Sequence, residues 1–390
     1  MSGPNHRSPS PDPPAGGSNL TDLATDAPTS PTTPSPTRPT NLKPVIDAIP
    51  DECYERPTSR GLFYFARDLV VYALVIWGLV STNRIYLLIP LWILSGLVVS
   101  ALFVVGHDAA HQSLFRHRWL NGLVGRVAML PSFHVFEAWV LGHNRIHHGH
   151  TLKRGFDFVW QPLTPEEYSE LGPIARLRHR LEWSRFGSGL YYLREVWWNK
   201  MIRFTPPRKW ARAIRLDSLL VHSVGALAMA GTVLITWAVT GSLMSGLWLW
   251  IKVVVVPFLA FTQSIGWVVY VHHIAPDIHW WERREWNKFK GQVEGTTILH
   301  APRGMDFFFH WIFEHAPHHV DMRIPMYHLK KAGQAMKMAF PDSVIEKKLR
   351  VRDYLRSVRS CKLYDYGSGR WLTYGDAAGS LRSEAAVPAT

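Results

Sequence analysis

Apolar residues gather into four long runs along this chain instead of being spread evenly. The first occupies Leu69 to Val80 and extends back through Leu62-Phe63-Tyr64-Phe65; the second runs from Ile85 to Val105, with only Ser81-Thr82-Asn83-Arg84 between them. The third and fourth, near Leu219 to Val239 and Leu247 to Val271, are joined by Thr240-Gly241-Ser242 and neighbouring small residues. A helix needs roughly 20 apolar residues to cross the hydrocarbon core of a bilayer. The pattern therefore predicts four transmembrane helices at about 62–81, 85–105, 219–239 and 247–271, paired as two hairpins. Lys252, near the far end of the last run, is expected to snorkel toward the headgroups. The stretch from Leu120 to Leu141 is apolar but broken by Arg126, Pro131, His134 and Glu137, which suits an interfacial or re-entrant helix. Arg176 to Trp210, rich in Arg and Trp, reads as a helical surface at headgroup level. Both ends are polar. Residues 1–45, rich in Pro, Ser and Thr, read as a disordered tail. Residues 361–390 read as a second loose tail, leaving 46–360 as the membrane domain.

Charge then orients the spans. The formal net charge is +13, which suits nucleic acid or a membrane protein with basic loops. No basic helix interleaved with polar base readers stands out, and the apolar runs favour the membrane. Gly106 to Asp217 carries Arg176, Arg178, Arg180, Arg208, Lys209, Arg212 and Arg215, whereas the two short turns are almost uncharged. Positively charged loops stay on the cytoplasmic side. Both termini and the long central segment are thus expected there, as a helical cap beneath the four spans. Cys53 and Cys361 stand far apart with no CxxC spacing, so neither a disulfide framework nor a thiolate metal site is implied.

Histidine carries the chemistry. The chain has 20, and many stand in groups. His107 and His111 are four apart and share one helical face where the second span ends. His143, His147 and His148 form a second group, with His150 just beyond; His315, His318 and His319 form a third; His272 and His273 close the fourth span. All of these fall at a span exit or in the cap, so they can meet in one layer. Eight or nine imidazoles exceed the four ligands of a tetrahedral zinc. They suit two metal ions with open positions, and iron cycles redox states where zinc does not. Attack on an unactivated C–H bond needs such an oxidant, because no side chain supplies one.

These groups resemble the three histidine boxes of the membrane fatty acid desaturases, HxxxH, HxxHH and HxxHH. The resemblance continues around them, in Phe103-Val104-Val105-Gly106-His107-Asp108, Ser113-Leu114-Phe115, Trp119-Leu120-Asn121 and His148-Gly149-His150-Thr151 with Asp157. It extends through Glu285-Trp286-Asn287, Gly295-Thr296 and Ile324-Pro325-Met326-Tyr327-His328-Leu329, so that it covers roughly residues 60 to 345. Its nearest form is the omega-6 (delta-12) acyl-lipid type. The resemblance implies His107, His111, His147, His148, His315, His318 and His319 as metal ligands, with His273 at the last span and His272 in reserve. The second box departs from the pattern, because three residues separate His143 from His147 where the subfamily has two. Aligned on the HH pair, Asn144 falls at the usual ligand position. One residue turns a helix by about 100°, so His143, which is kept as a ligand, needs a local bulge to reach the metal. Asp108 and Asp157 are candidates for orienting ligand imidazoles through hydrogen bonds, and His310 for a hydrogen-bonding role.

The reading is an all-α integral-membrane fold whose cap holds two irons. The resemblance implies O2-dependent desaturation of a fatty acyl chain held in a narrow apolar tunnel, with electrons from an external ferredoxin or small cytochrome. No GxGxxG nucleotide motif precedes a helix. The expected partners are a fatty acyl substrate (on lipid, CoA or carrier protein), the electron donor and the bilayer, with no nucleic acid. A di-iron hydroxylase or ketolase of an alkyl chain or carotenoid would use the same site. A membrane metal transporter or metal-binding protein would place its ligands near the bilayer midplane instead.

Overall fold

The structure, a computed structural model, describes residues 38–385. The N-terminal tail expected over 1–45 lies outside the described residues as far as 37; a short helix, Lys43–Asp47, buries Val45. Helix α1 is Thr58–Ser81 and α2 is Ile85–Ala110. An amphipathic α3 (Arg118–Met129) follows. Next comes α4 (Phe136–Trp139), which widens into a π-helix at Val140–His147 and ends with the turn His148–His150. Further on lie α5 (Pro173–Glu182) and α6 (Ser188–Tyr191), the latter continued by a π-helix at Tyr192–Ile202. Helices α7 (Ala211–Thr240) and α8 (Leu243–His273) complete the long elements. Among the described residues four helices, α1, α2, α7 and α8, are long and apolar enough to cross a membrane.

Their ends have local causes. Gly241 takes a left-handed φ of 71° and closes α7, a conformation that costs other residues more. Ser242 then caps α8 by accepting from the Ser245 N–H at 3.2 Å. Close packing of α2 on α8 uses small residues: a Cβ on Gly96 would lie 2.7 Å from the Ala260 Cβ, and Ser100 Oγ meets Ser264 Oγ at 3.1 Å. At the far end of these helices Lys252 is buried and does not snorkel. Its Nζ donates to the Thr82 carbonyl (2.9 Å) and to Asn83 Oδ1 (2.8 Å), tying α8 to the turn between α1 and α2. An uncapped helix end nearby supplies acceptors that a buried ammonium needs, and that decides its position.

The turn at 130–135, between α3 and α4, is wedged among α2, α6, α7 and α8. The Phe133 ring stands 5.6 Å from Phe258 and would touch a Cβ on Gly225, while His134 packs between Phe103 and Phe261. Arg126 anchors this excursion through Asp217 (2.7 Å) on α7 and Glu137 (3.0 Å) on α4.

Beyond α8 the chain is not purely helical, which corrects the all-α expectation. Strand β1 (Thr297–His300) pairs in parallel with β2 (Ile345–Lys348), Thr297 opposite Ile345. Strand β3 (Leu363–Asp365) pairs antiparallel with β4 (Arg370–Leu372). Helices α9 (His315–Val320), α10 (Leu329–Ala339), α11 (Val351–Ser360) and α12 (Tyr374–Ala385) complete this part. Residues 361–385, read above as a loose tail, bury Leu363 and Tyr364, and the Tyr364 hydroxyl accepts from the Trp280 N–H. Three or four apolar residues in a polar stretch suffice to dock it once a partner surface exists, and single-strand periodicity is too short to reveal it.

Candidate metal centre

Helix ends bring the histidines together. His107 and His111 lie on one face of α2 at its end, as their spacing requires. His273 ends α8, and α9 carries His315, His318 and His319 within two turns. All are buried. Their ring nitrogens form two groups, His107, His111, His143, His148 and His318 in one and His147, His273, His315 and His319 in the other. Within each group the candidate ligand atoms lie inside 4.8 Å of one another. The groups adjoin: the His148 and His319 rings stack at 4.2 Å and those of His143 and His147 are 5.3 Å apart.

The π-helix accounts for His143. A π-turn absorbs one extra residue inside a helix, and the segment Val140–His147 takes that form where the second box is one residue longer. His143 Nε2 then lies 2.8 Å from His107 Nε2 and 3.1 Å from His148 Nε2. Asn144 points away and donates to the Ala110 carbonyl at 2.8 Å. His272 stays outside both groups; its ring stacks on His315 at 4.1 Å and its Nδ1 faces Thr297 Oγ1 at 3.4 Å.

Carboxylates and an amide hold the outer nitrogens. Asp157 faces His147 Nδ1 with both oxygens (3.0 and 3.1 Å) and also accepts from the N–H groups of Leu152 and Val159. That fixes the proton on Nδ1 and leaves the Nε2 lone pair facing the group. Asp108 approaches His107 Nδ1 at 3.4 Å and accepts firmly from the Met326 N–H at 2.6 Å, so it ties α2 to the chain after α9. Gln292 was not legible in the sequence. Its Oε1 accepts from His319 Nδ1 at 2.8 Å and its Nε2 donates to the His148 carbonyl at 2.5 Å, so one amide braces both groups. Trp139, stacked on His143 at 4.5 Å, was also missed, although its place four residues earlier was a usable signal. His310 has the hydrogen-bonding role expected of it: its Nε2 meets Asp68 at 2.6 Å, and Asp68 also accepts from Arg67. A lone acid inside the first apolar run marked Asp68 in the sequence.

This donor set fits metal ions. Burial, and then neighbouring histidines, push the pKa values of His111, His143, His148, His315, His318 and His319 well down, so these rings are neutral. Facing Nε2 atoms also lie 3.2 Å apart for His315 and His273, and 3.0 Å apart for His319 and His315. Lone pairs converging at that range repel unless a proton or a cation lies among them. Bonds from metal to imidazole are about 2.0–2.1 Å, so opposed ligands sit up to about 4.2 Å apart, within the observed limit. Beside the groups lies a narrow apolar cavity of about 40 Å³ lined by Phe103, Val104, Trp139, Tyr192, Val196 and Ile265, with His107, His143 and His147 on its wall.

Comparison with known proteins agrees with this geometry. A family model described as "Fatty acid desaturase" matches residues 84–348. The sn-1 oleoyl-lipid 12-desaturase of Picosynechococcus sp. is 29% identical over 329 residues, spanning 83% of this chain and 90% of its own. The sn-1 acyl-lipid omega-3 desaturase (ferredoxin) of Nostoc sp. is 30% identical over 300 residues, 74% of this chain and 78% of its own. The sn-1 oleoyl-lipid 12-desaturase of Arthrospira platensis is 32% identical over 290 residues, with coverages of 73% and 78%.

Proposed function

This chain belongs to the fatty acid desaturase family, and from that premise we propose that it uses O2 to place a cis double bond in a fatty acyl chain, at the delta-12 (omega-6) position. One observation carries the reading: two adjoining all-imidazole groups, buried, with an apolar cavity against them. His107, His111, His143, His148 and His318 would hold one iron and His147, His273, His315 and His319 the other. Two irons bound there supply the redox capacity to activate O2 and remove hydrogen from an unactivated carbon. The reaction takes one hydrogen from each of two neighbouring CH2 groups, together with two external electrons and two protons, and reduces O2 to two waters.

The chain's own residues position and exclude. Asp157 keeps His147 in one tautomer, and Gln292 does the same for His319. Phe103, Val104 and Ile265 line a small apolar passage that keeps water out and would have to widen to take an alkyl chain. Depth along that passage would select which CH2–CH2 unit meets the groups. We further propose that α1–α2 and α7–α8 form two membrane hairpins, with both termini and the metal groups in a cytoplasmic cap; the basic segment from 106 to 217 supports this orientation. We propose 46–360 as the desaturase domain, with residues 361–385 docked on it through Leu363 and Tyr364 rather than loose. The electrons are proposed to come from a ferredoxin or small cytochrome, and the name of the Nostoc relative supports the former.

The test is a lipid profile of aerobic cells supplied with ferredoxin and expressing the chain or its His315→Ala/His318→Ala double variant, with double bonds located by mass spectrometry. New delta-12 unsaturation from the parent chain alone is expected. Oxygenated alkyl products would identify a hydroxylase, and unchanged lipids would overturn the acyl-chain reading.

A further inference from the structure

A second apolar space lies on the outer side of the wall that encloses the metal-side cavity. It is a groove of about 440 Å³ bounded by Trp197, Ile202, Gly225, Met229, Val254 and Phe258. Two of its walls, α7 and α8, are helices long and apolar enough to cross a membrane. Its polar lining is slight: His222 is the one ionisable residue, and its Nδ1 is already engaged by the Ser218 carbonyl at 2.7 Å. By the same measure the inner cavity holds only about 40 Å³, too little for an alkyl chain, since pockets for small organic ligands run roughly 300–1,000 Å³.

The partition between the two spaces is made of rings. Val196 lines the inner cavity and its neighbour Trp197 lines the groove. From Trp197 a chain of aromatic contacts leads inward: Phe258 at 5.0 Å, Phe261 a further 6.4 Å on, and then Phe103 on the cavity wall at 5.3 Å. The Trp197 Nε1 donates to the Phe133 carbonyl at 2.8 Å. Both backbones that carry this partition depart from α-helical form beside the groove, as π-helices at Tyr192–Ile202 and Ile251–Val255. Such wide turns recur at functional sites. The crossing of α6 on α8 is tight at Gly189 and Gly266, where a Cβ would meet Gln263 and Ser188, so opening would occur at the Trp197 end.

We infer that the groove between α7 and α8 is the lateral portal through which an acyl chain of a bilayer lipid reaches the metal-side cavity, by rotation of the Trp197, Phe258 and Phe261 rings. The inference rests on the desaturase reading for its purpose, but not for its geometry. Its occupant follows from its position: a groove between two spans opens to lipid tails, so a chain still esterified in the membrane enters without leaving an apolar medium. A water-soluble acyl carrier would gain nothing from this route.

The experiment uses the full chain in phosphatidylcholine liposomes containing a phosphatidylcholine with a diazirine in mid-acyl chain, irradiated and mapped by peptide mass spectrometry. Adducts are expected both on groove residues such as Met229 and on cavity residues such as Tyr192 and Val196. Ala226→Trp fills the groove from an exposed position on α7, and Met229→Trp does so independently. Each is expected to lower the cavity adducts and the rate of lipid desaturation at least tenfold, with metal content and thermal midpoint unchanged. Leu227→Trp, exposed on the same helix but outside the groove, is expected to change neither. Cavity adducts at parental level in both blocked variants would overturn the portal. A parent that labels in the cavity, loses that label on blocking, yet forms no double bond would leave the portal standing and refute the desaturase reading instead.

Discussion

Gly266→Ala is the sharpest test of how the cavity wall is built. Gly266 lies on α8 where α6 crosses it. A Cβ there would sit 2.8 Å from the Ser188 carbonyl carbon and 3.0 Å from Tyr192 Cβ, with the Ser188 oxygen closer still. Carbon atoms settle at roughly 3.5–4.0 Å, so α6 would have to retreat by about 0.7 Å. Overpacking of this kind costs about 1–3 kcal/mol, while alanine regains about 0.5–1 kcal/mol of helix preference over glycine. A net loss of up to about 2.5 kcal/mol is expected, and about 1–3 kcal/mol relative to a glycine-to-alanine change in open space. Gly231 on α7 is the internal control, because a Cβ there meets nothing within 4 Å. Gly231→Ala should therefore be neutral or slightly stabilising. Thermal unfolding in a fixed detergent, with the two variants side by side, reads the difference. Since Tyr192 and Val196 ride on the displaced segment and line the cavity, the chain-length preference of Gly266→Ala should shift as well. Equal stability of the two variants would refute the close crossing.

Three further outcomes follow from the site and its surroundings. Asp157→Asn removes the carboxylate that orients His147, and metal affinity is expected to fall about 10- to 100-fold; an unchanged metal content in chelator titration would show that Asp157 does not orient a ligand. Stripping the metal with a chelator is expected to lower the thermal midpoint, with Zn2+ restoring the midpoint and only Fe2+ restoring desaturation; recovery of activity with Zn2+ would rule out redox chemistry. His179, buried against Trp183 with its Nδ1 2.9 Å from the Tyr374 hydroxyl, has its pKa pushed down to about 4 by burial, with Lys362, Arg178 and Arg194 adding to it. Between pH 6.5 and 4 the unfolded chain then binds the extra proton, so this stability is full above pH 6.5 and is lost on acidification, to the extent of about 3 kcal/mol. His179→Gln should flatten that part of the pH–midpoint curve, and an unaltered slope would show that His179 does not contribute.

The sequence by itself determined the features set by local repetition. Runs of about 20 apolar residues specify membrane-length helices whatever their neighbours do, and the four observed helices contain the four runs. Spacings of four put His107 beside His111 and His315 beside His319, because helix geometry alone aligns them, whereas His318 turns to the other group. Tertiary structure decided everything that depends on residues far apart in the chain. Whether His143 or Asn144 faces the group turned on a π-turn, which spacing could require but not guarantee. Gln292 bracing His148 and His319, Lys252 closing on the Thr82–Asn83 turn, and the docking of Tyr364 against Trp280 are long-range pairings with no periodic signature. A polar group's partner is set by which unsatisfied atom the packed fold brings within about 3 Å of it, and that distance exists only after the helices have met.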